Sequence, residues 1–261
     1  MSTCSVQSIS GFDIELDLEG LAFRFGPGMH AVPEERRKLD AVRASLMDPT
    51  SAGPEDLYTI YMDFGRTAER EQVVGDGLLY GGVIYAAGVT GREFVRSQGH
   101  RHTANEQGVS YPEVYEFWHG NGLLYMQKED GPVVTDCRVV ECNPGDVVIV
   151  PPDWVHMTAN VGSEPLAFGA WCARGQGFIY EGVRARHGVA WYFLADGTRV
   201  RNPNYESAAA PITQPVRDYP EFDMVTGESI YEQYLQKPSR LRFMSHPHEF
   251  MDAWRSVERK P

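Results

Sequence analysis

From residue 57 to about residue 201 the chain repeats one pattern, at a spacing of roughly ten residues. A short run of aromatic and β-branched residues is followed by a cluster of Gly, Pro, Asn or Asp. The runs are 57–64, 79–86, 114–118, 123–127, 133–140, 147–150, 166–171 and 189–193. Each is too short for a packed helix and too apolar for a loop, so the pattern predicts an antiparallel sandwich or barrel. Residues 119–122, His-Gly-Asn-Gly, predict a hairpin turn between two of the strands.

The segments outside this rhythm read differently. Residues 33–47 predict a helix, with Pro33, Glu34 and Glu35 in a favourable first turn and Leu39, Val42 and Leu46 on one face. Asp48-Pro49 stops it. Residues 208–215 read as a linker, and short helices are expected around 230–235 and 248–254. The expected division is an N-terminal arm with one helix over 1–56, a β-barrel over 57–205 and a C-terminal extension over 206–261. The extension is too small for a core of its own and is expected to pack on the barrel or on a partner subunit.

Charge and composition exclude several classes. The 24 basic against 36 acidic residues leave a net charge of −12, which argues against nucleic acid or an anionic membrane as partner. No run approaches the ~20 apolar residues of a membrane span, and the first ten residues lack the features of a secretory leader. A cytoplasmic protein is expected. Cys4, Cys137, Cys142 and Cys172 form no CxxC pair and read as free thiols. Lys38, Lys128, Lys237 and Lys260 are the whole lysine supply and none adjoins a histidine motif, which disfavours Schiff-base chemistry. Neither GxGxxG before a helix nor GxxxxGK[ST] occurs.

The chemistry is concentrated in two stretches. Gly99-His100-Arg101-His102 is followed after a loop by Glu113, and Gly145 opens a run ending in Pro151-Pro152-Asp153-Trp154-Val155-His156. On a strand His100 and His102 point the same way, and Glu113 follows at the distance of a loop and a return strand. His156 is expected in a loop after the two prolines. Three imidazoles and a carboxylate converging inside a barrel make a first-row metal site with positions left for substrate. Tyr115 shares the face of Glu113, whereas Glu116 points the other way. Arg96 has the parity of His100 and His102 and is a candidate for an anionic substrate group. Arg101 faces outward. His246-Pro247-His248 is a second HxH with no strand around it, read as an incidental surface pair.

These motifs carry a resemblance. His100-x-His102…Glu113-x6-Gly120 followed by Gly145-x5-Pro151-x-Asp153-x2-His156-x3-Asn160 resembles the two-part motif of the cupin superfamily, with Asp153 where glycine is usual and a longer loop before Glu113. Within that superfamily the chain is similar to the cupin-type glucose-6-phosphate isomerases. The segments that carry this include Glu35-Arg-Arg-Lys-Leu-Asp40, Gly91-Arg-Glu-Phe94, Tyr111-Pro-Glu-Val-Tyr-Glu116, Val150-Pro-Pro-Asp-Trp-Val-His156 and Asn202-Pro-Asn-Tyr205. The resemblance runs from about residue 34 to 205. It implies an all-β, jelly-roll-like cupin barrel with a few peripheral helices at the two ends.

It also implies one divalent ion per chain (Fe2+, Mn2+, Zn2+ or Ni2+) on His100, His102, Glu113 and His156. Glu113 and Tyr115 become the catalytic candidates, and Ser97, Gly99, Arg96 and Tyr180 the substrate-binding ones. The implied reaction is aldose–ketose isomerisation between glucose 6-phosphate and fructose 6-phosphate through an enediol, by a homodimer. Val83, Cys172 and Phe178 depart from the polar residues expected beside the sugar. They motivate a second substrate, another anionic hexose such as a sulfonated one. An oxidative cupin with the same ligands is a further alternative, and a non-catalytic sugar-binding cupin is disfavoured by the complete ligand set.

Overall fold

The computed structural model describes residues 2–259, so Lys260 lies outside the described residues. Nine strands build the barrel, labelled here in chain order. They are β1 (Glu35–Lys38), β2 (Asp56–Arg66), β3 (Leu78–Tyr85), β4 (Glu113–His119), β5 (Gly122–Asp130), β6 (Val133–Cys142), β7 (Val147–Val150), β8 (Trp154–Asn160) and β9 (Leu166–Ala173). They form two antiparallel sheets, one ordered β7-β4-β9-β3-β2-β1 and the other β8-β5-β6. The protein is a mostly β cupin barrel with helices towards its C-terminal end.

Register aligns the side chains that face the interior. Glu113 lies opposite Cys172, Tyr115 opposite Ala170, and Phe117 opposite Phe168. Phe168 is in turn opposite Val83, Val83 opposite Ile60, and Ile60 opposite Glu35. The core between the sheets holds Tyr115, Phe117, Leu124, Met126, Trp154 and Phe168. A second core covers the outer face of the larger sheet, where Phe64, Tyr80, Trp118 and Trp171 meet Phe12, Ile14, Tyr231 and Trp254. At about 1.5–3 kcal/mol for each large apolar side chain, this outer layer is a substantial share of the stabilisation. Phe12 and Ile14 belong to the N-terminal region, which forms a three-stranded sheet of Thr3–Ser5, Ile14–Asp17 and Ala22–Phe25.

Four expectations are corrected. Residues 35–38 are not helical. They pair with the free edge of β2, which satisfies their backbone groups, and only Leu39–Val42 and Arg43–Ser45 coil, still delivering Leu39, Val42 and Leu46 to the core. The turn at 119–122 is not a hairpin, because β4 and β5 belong to different sheets. It is a corner of the barrel. Gly120 there has φ +75°, and a Cβ would stand 2.5 Å from the Pro165 carbonyl oxygen. Residues 208–215 are not a free linker, since Ser207–Ala208 and Ile212–Gln214 run parallel to β6. Finally, His156 sits on β8 and not in a loop.

The C-terminal helices Ile230–Gln236 and Met251–Arg259 lie where short helices were expected. The first is tied to the barrel by two hydrogen bonds: Trp171 Nε1 donates to the Ile230 carbonyl and the Ile230 amide donates to Glu116. No helix of the described residues is long and apolar enough to cross a membrane.

Candidate metal centre

His100 and His102 lie on a segment that runs beside β8, at the edge of the smaller sheet. His100 and His156 exchange both backbone hydrogen bonds, at 3.0 and 2.9 Å, so their side chains leave the sheet side by side. Glu113 starts β4 in the facing sheet. Asp153 makes the approach possible: with φ +68° it takes the left-handed conformation that explains why glycine is usual there, and Asp tolerates it.

The four side chains meet. One ligand atom from each of His100, His102, Glu113 and His156 lies within 4.8 Å of every other. His100 Nε2 is 3.1 Å from His102 Nε2, and Glu113 Oε2 is 3.3 Å from His102 Nε2 and 3.2 Å from His156 Nε2. Two donors each about 2.1 Å from a shared ion stand roughly 3.0 Å apart at right angles and ~3.4 Å apart at the tetrahedral angle. These three separations fall in that interval.

The protonation pattern fits a cation as well. His102 Nδ1 is 2.8 Å from the Tyr111 carbonyl and His156 Nδ1 is 3.4 Å from the Trp154 carbonyl. A carbonyl only accepts, so each Nδ1 carries the proton and each Nε2 presents a lone pair inward. Burial, followed by the neighbouring His156 and His102, holds His100 well below the usual histidine range. Burial also lowers His156, against the pull of Glu113. For Glu113 burial pushes upward, but the adjoining side chains of His102 and His156 outweigh it and the carboxyl is held well below the usual range. Imidazole nitrogens beside an ionised carboxylate are the donor set a divalent ion takes.

Around Glu113 the face alternation holds as expected. Tyr115 Oη donates to Glu113 Oε2 at 2.8 Å, and Cys172 Sγ donates to Oε1 at 3.1 Å. Glu116 points outward, where it accepts from Trp118 Nε1 at 2.7 Å and the Ile230 amide at 2.9 Å.

The centre lies at the wall of a cavity of about 190 Å³. Ser97 and Tyr180 line it, as do the three departures from the expected polar set, Val83, Cys172 and Phe178. Tyr180 has its ring centroid 5.6 Å from that of His100, and Phe178 is 4.9 Å from it. Gly99 does not line the cavity. Its φ is +85°, and a Cβ would meet Val189 at 2.9 Å, so its role is to let the histidine strand approach.

Arg96 is a correction. Its guanidinium is buried against Glu93 at 2.7 Å and donates to the carbonyls of Ser45 and Ser97, which removes it from the cavity. Parity gives the side of a strand, but the acid three residues away takes the charge. Reasoning from sequence missed Glu35, Arg37, Tyr58 and Tyr85, all of which line the cavity. The first two were hidden by the helical reading of their segment. No signal within 35–38 marks the strand, because all four residues are charged.

The two-sheet barrel with three imidazoles and one carboxylate on its inner wall defines a cupin with a candidate metal centre. The chain belongs to the glucose-6-phosphate isomerase family, whose model matches residues 39–210. It is 32% identical over 180 residues to the glucose-6-phosphate isomerase of Pyrococcus abyssi, covering 66% of this chain and 87% of that one. To the enzyme of Thermococcus gammatolerans it is 28% identical, covering 74% and 96%. A putative glucose-6-phosphate isomerase 1 of Rhizobium meliloti is 27% identical, with 64% and 86% covered.

Solved structures it resembles include a mutant of Bacillus subtilis oxalate decarboxylase (18% identity, 49% of this chain and 29% of that one, TM-score 0.35). Another is a cupin 2 conserved barrel domain protein from Rhodopseudomonas palustris (16% identity, 54% and 70%, TM-score 0.30).

Proposed function

We infer that this chain is a divalent-metal-dependent isomerase interconverting glucose 6-phosphate and fructose 6-phosphate. The observation that carries the reading is the convergence of His100, His102, Glu113 and His156, of which His100 and Glu113 line the cavity. A divalent ion held there by these four residues would polarise the carbonyl and C2 oxygens of the open-chain sugar and favour the enediolate.

The remaining work falls to side chains. Isomerisation removes a proton from C2 and delivers one to C1, so a base must reach both carbons. Burial pushes the hydroxyls of Tyr58, Tyr85 and Tyr115 upward, Glu113 pushing Tyr115 further, so these phenols stay protonated and serve as hydrogen-bond donors. Glu113 is ionised and has two oxygens with different neighbours: Oε2 faces the imidazoles and Tyr115, and Oε1 faces the Cys172 thiol. We assign Glu113 as the base that shuttles the proton and Tyr115 as the donor that orients it. Ser97 and Tyr180 contact the sugar hydroxyls in this reading.

The test is isomerisation of glucose 6-phosphate by purified protein, lost on chelation and restored by Fe2+, Mn2+, Zn2+ or Ni2+. Run in deuterated water, proton shuttling by Glu113 labels C1 of the product, whereas direct hydride transfer leaves it unlabelled. A metal-loaded protein with no turnover of glucose 6-phosphate rejects that substrate. The apolar Val83 in the middle of the inner wall favours a second reading, the same chemistry on a sulfonated hexose, and a parallel assay with that sugar separates them.

A further inference from the structure

Among the described residues, Arg37 is the one arginine or lysine that lines the cavity. It reaches it because β1 is a strand. Arg37 lies opposite Tyr58 and Tyr58 lies opposite Tyr85, so the three share a row on the inner wall. The two phenols are stacked with centroids 4.7 Å apart. The guanidinium opposes the upward shift that burial imposes on Tyr58, and its positive charge also reaches Tyr180, whose ring stands beside His100. The cation therefore acts on the same space as the metal ligands.

Its bonding is incomplete. Arg37 Nη2 donates to Glu35 Oε1 at 2.6 Å, while Nε is buried and has no hydrogen-bond partner. A buried donor without an acceptor is unfavourable, and a ligand that supplies one gains accordingly. Glu35 also lies on the cavity side, two residues away, with its side chain 61% exposed against 26% for Arg37. The carboxylate can swing to water; the guanidinium is the partner that stays.

We propose that Arg37 is the seat of the substrate's anionic end, with Glu35 as the counter-ion it releases when a tetrahedral oxyanion arrives. This rests on the isomerase reading and adds polarity to it: the charged C6 end goes to β1 and the C1–C2 end to the metal centre. A guanidinium suits a phosphate or a sulfonate equally in geometry, through paired N–H donors. Glu35 opposes whichever anion binds, and opposes a dianion more than a monoanion.

The experiment is calorimetric titration of the full chain with sorbitol, sorbitol 6-phosphate and 6-deoxy-6-sulfosorbitol, none of which can be isomerised. For wild type the charged polyols bind more tightly than sorbitol. Arg37→Gln lowers the ratio of charged to neutral affinity about 10- to 100-fold, the worth of a hydrogen bond to a charged group. Glu35→Gln raises that ratio, a gain that misfolding cannot produce.

An unchanged ratio in Arg37→Gln, no rise in Glu35→Gln, or no preference for a charged polyol in wild type overturns the proposal. An Arg37-dependent preference in a protein that turns over neither sugar keeps the anion seat and rejects the isomerase. Turnover with an Arg37-independent preference does the reverse. The charged polyol with the larger Arg37 effect identifies the anion.

Discussion

Replacing Arg96 with methionine distinguishes a structural ion pair from a substrate contact. Both partners are almost wholly buried, the Arg96 side chain at 3% exposure and that of Glu93 at 2%. Arg96 Nε and Nη2 both donate to Glu93 Oε1, at 2.9 and 2.7 Å, and the Met47 amide donates to Oε2 at 2.8 Å. The same guanidinium ties down the carbonyls of Ser45 and Ser97. Arg96→Met leaves a buried carboxylate with one backbone donor and no opposite charge, which costs about 3–5 kcal/mol. For a chain of this size 1 kcal/mol moves the melting temperature by roughly 2–4 °C, so a fall of about 10 °C is expected by circular dichroism. The double variant Arg96→Met with Glu93→Gln removes the stranded charge and recovers part of that loss. An unchanged melting temperature with a KM raised for a phosphorylated sugar would refute this and return Arg96 to the cavity.

Three more outcomes follow from the same geometry. Burial raises the Glu116 carboxyl to about 8, so the folded state holds its proton through a range in which the unfolded chain has lost it. Stability therefore falls as pH rises from about 4.5 to 8, by up to a few kcal/mol, and levels off above. Glu116→Gln flattens that dependence in urea titrations at pH 5, 6.5 and 8; parallel curves would contradict it. Tyr115→Phe removes the donor 2.8 Å from Glu113 Oε2 and lowers kcat/KM about 10- to 100-fold, read from initial rates, without lowering the melting temperature by more than a few degrees. Gly120→Ala forces a Cβ against the Pro165 carbonyl and a non-glycine residue into φ +75°, costing about 2 kcal/mol or more by chemical denaturation.

The legibility of the sequence varied with how each strand is buried. β2, β3 and β4 showed as aromatic and β-branched runs, and the period of two correctly sent Tyr115 inward and Glu116 outward. β8 is buried at every position, so no polar alternation marked it, and the prolines before it made His156 read as a loop residue. β1 failed for the opposite reason. Glu35-Arg36-Arg37-Lys38 carries no apolar residue, and strand identity came from pairing with β2, a contact that local sequence does not contain. The corner at Gly120 shows the same limit, since a short glycine turn joins strands in one sheet or in two depending on what the later strands pair with. Of the candidate ligands, His100 and His102 were legible because HxH fixes its own geometry on an extended chain.

The central claim is that three imidazole nitrogens and one carboxylate oxygen bind a divalent ion on the barrel's inner wall. Elemental analysis of the chain after incubation with Fe2+, Mn2+, Zn2+ or Ni2+ and removal of free ion tests it directly. The expected result is one equivalent per chain with a raised melting temperature, and substoichiometric metal with no rise in His102→Ala and His156→Ala. Wild type that retains no ion at any of the four metals, or variants that retain it as well as wild type, would contradict the account.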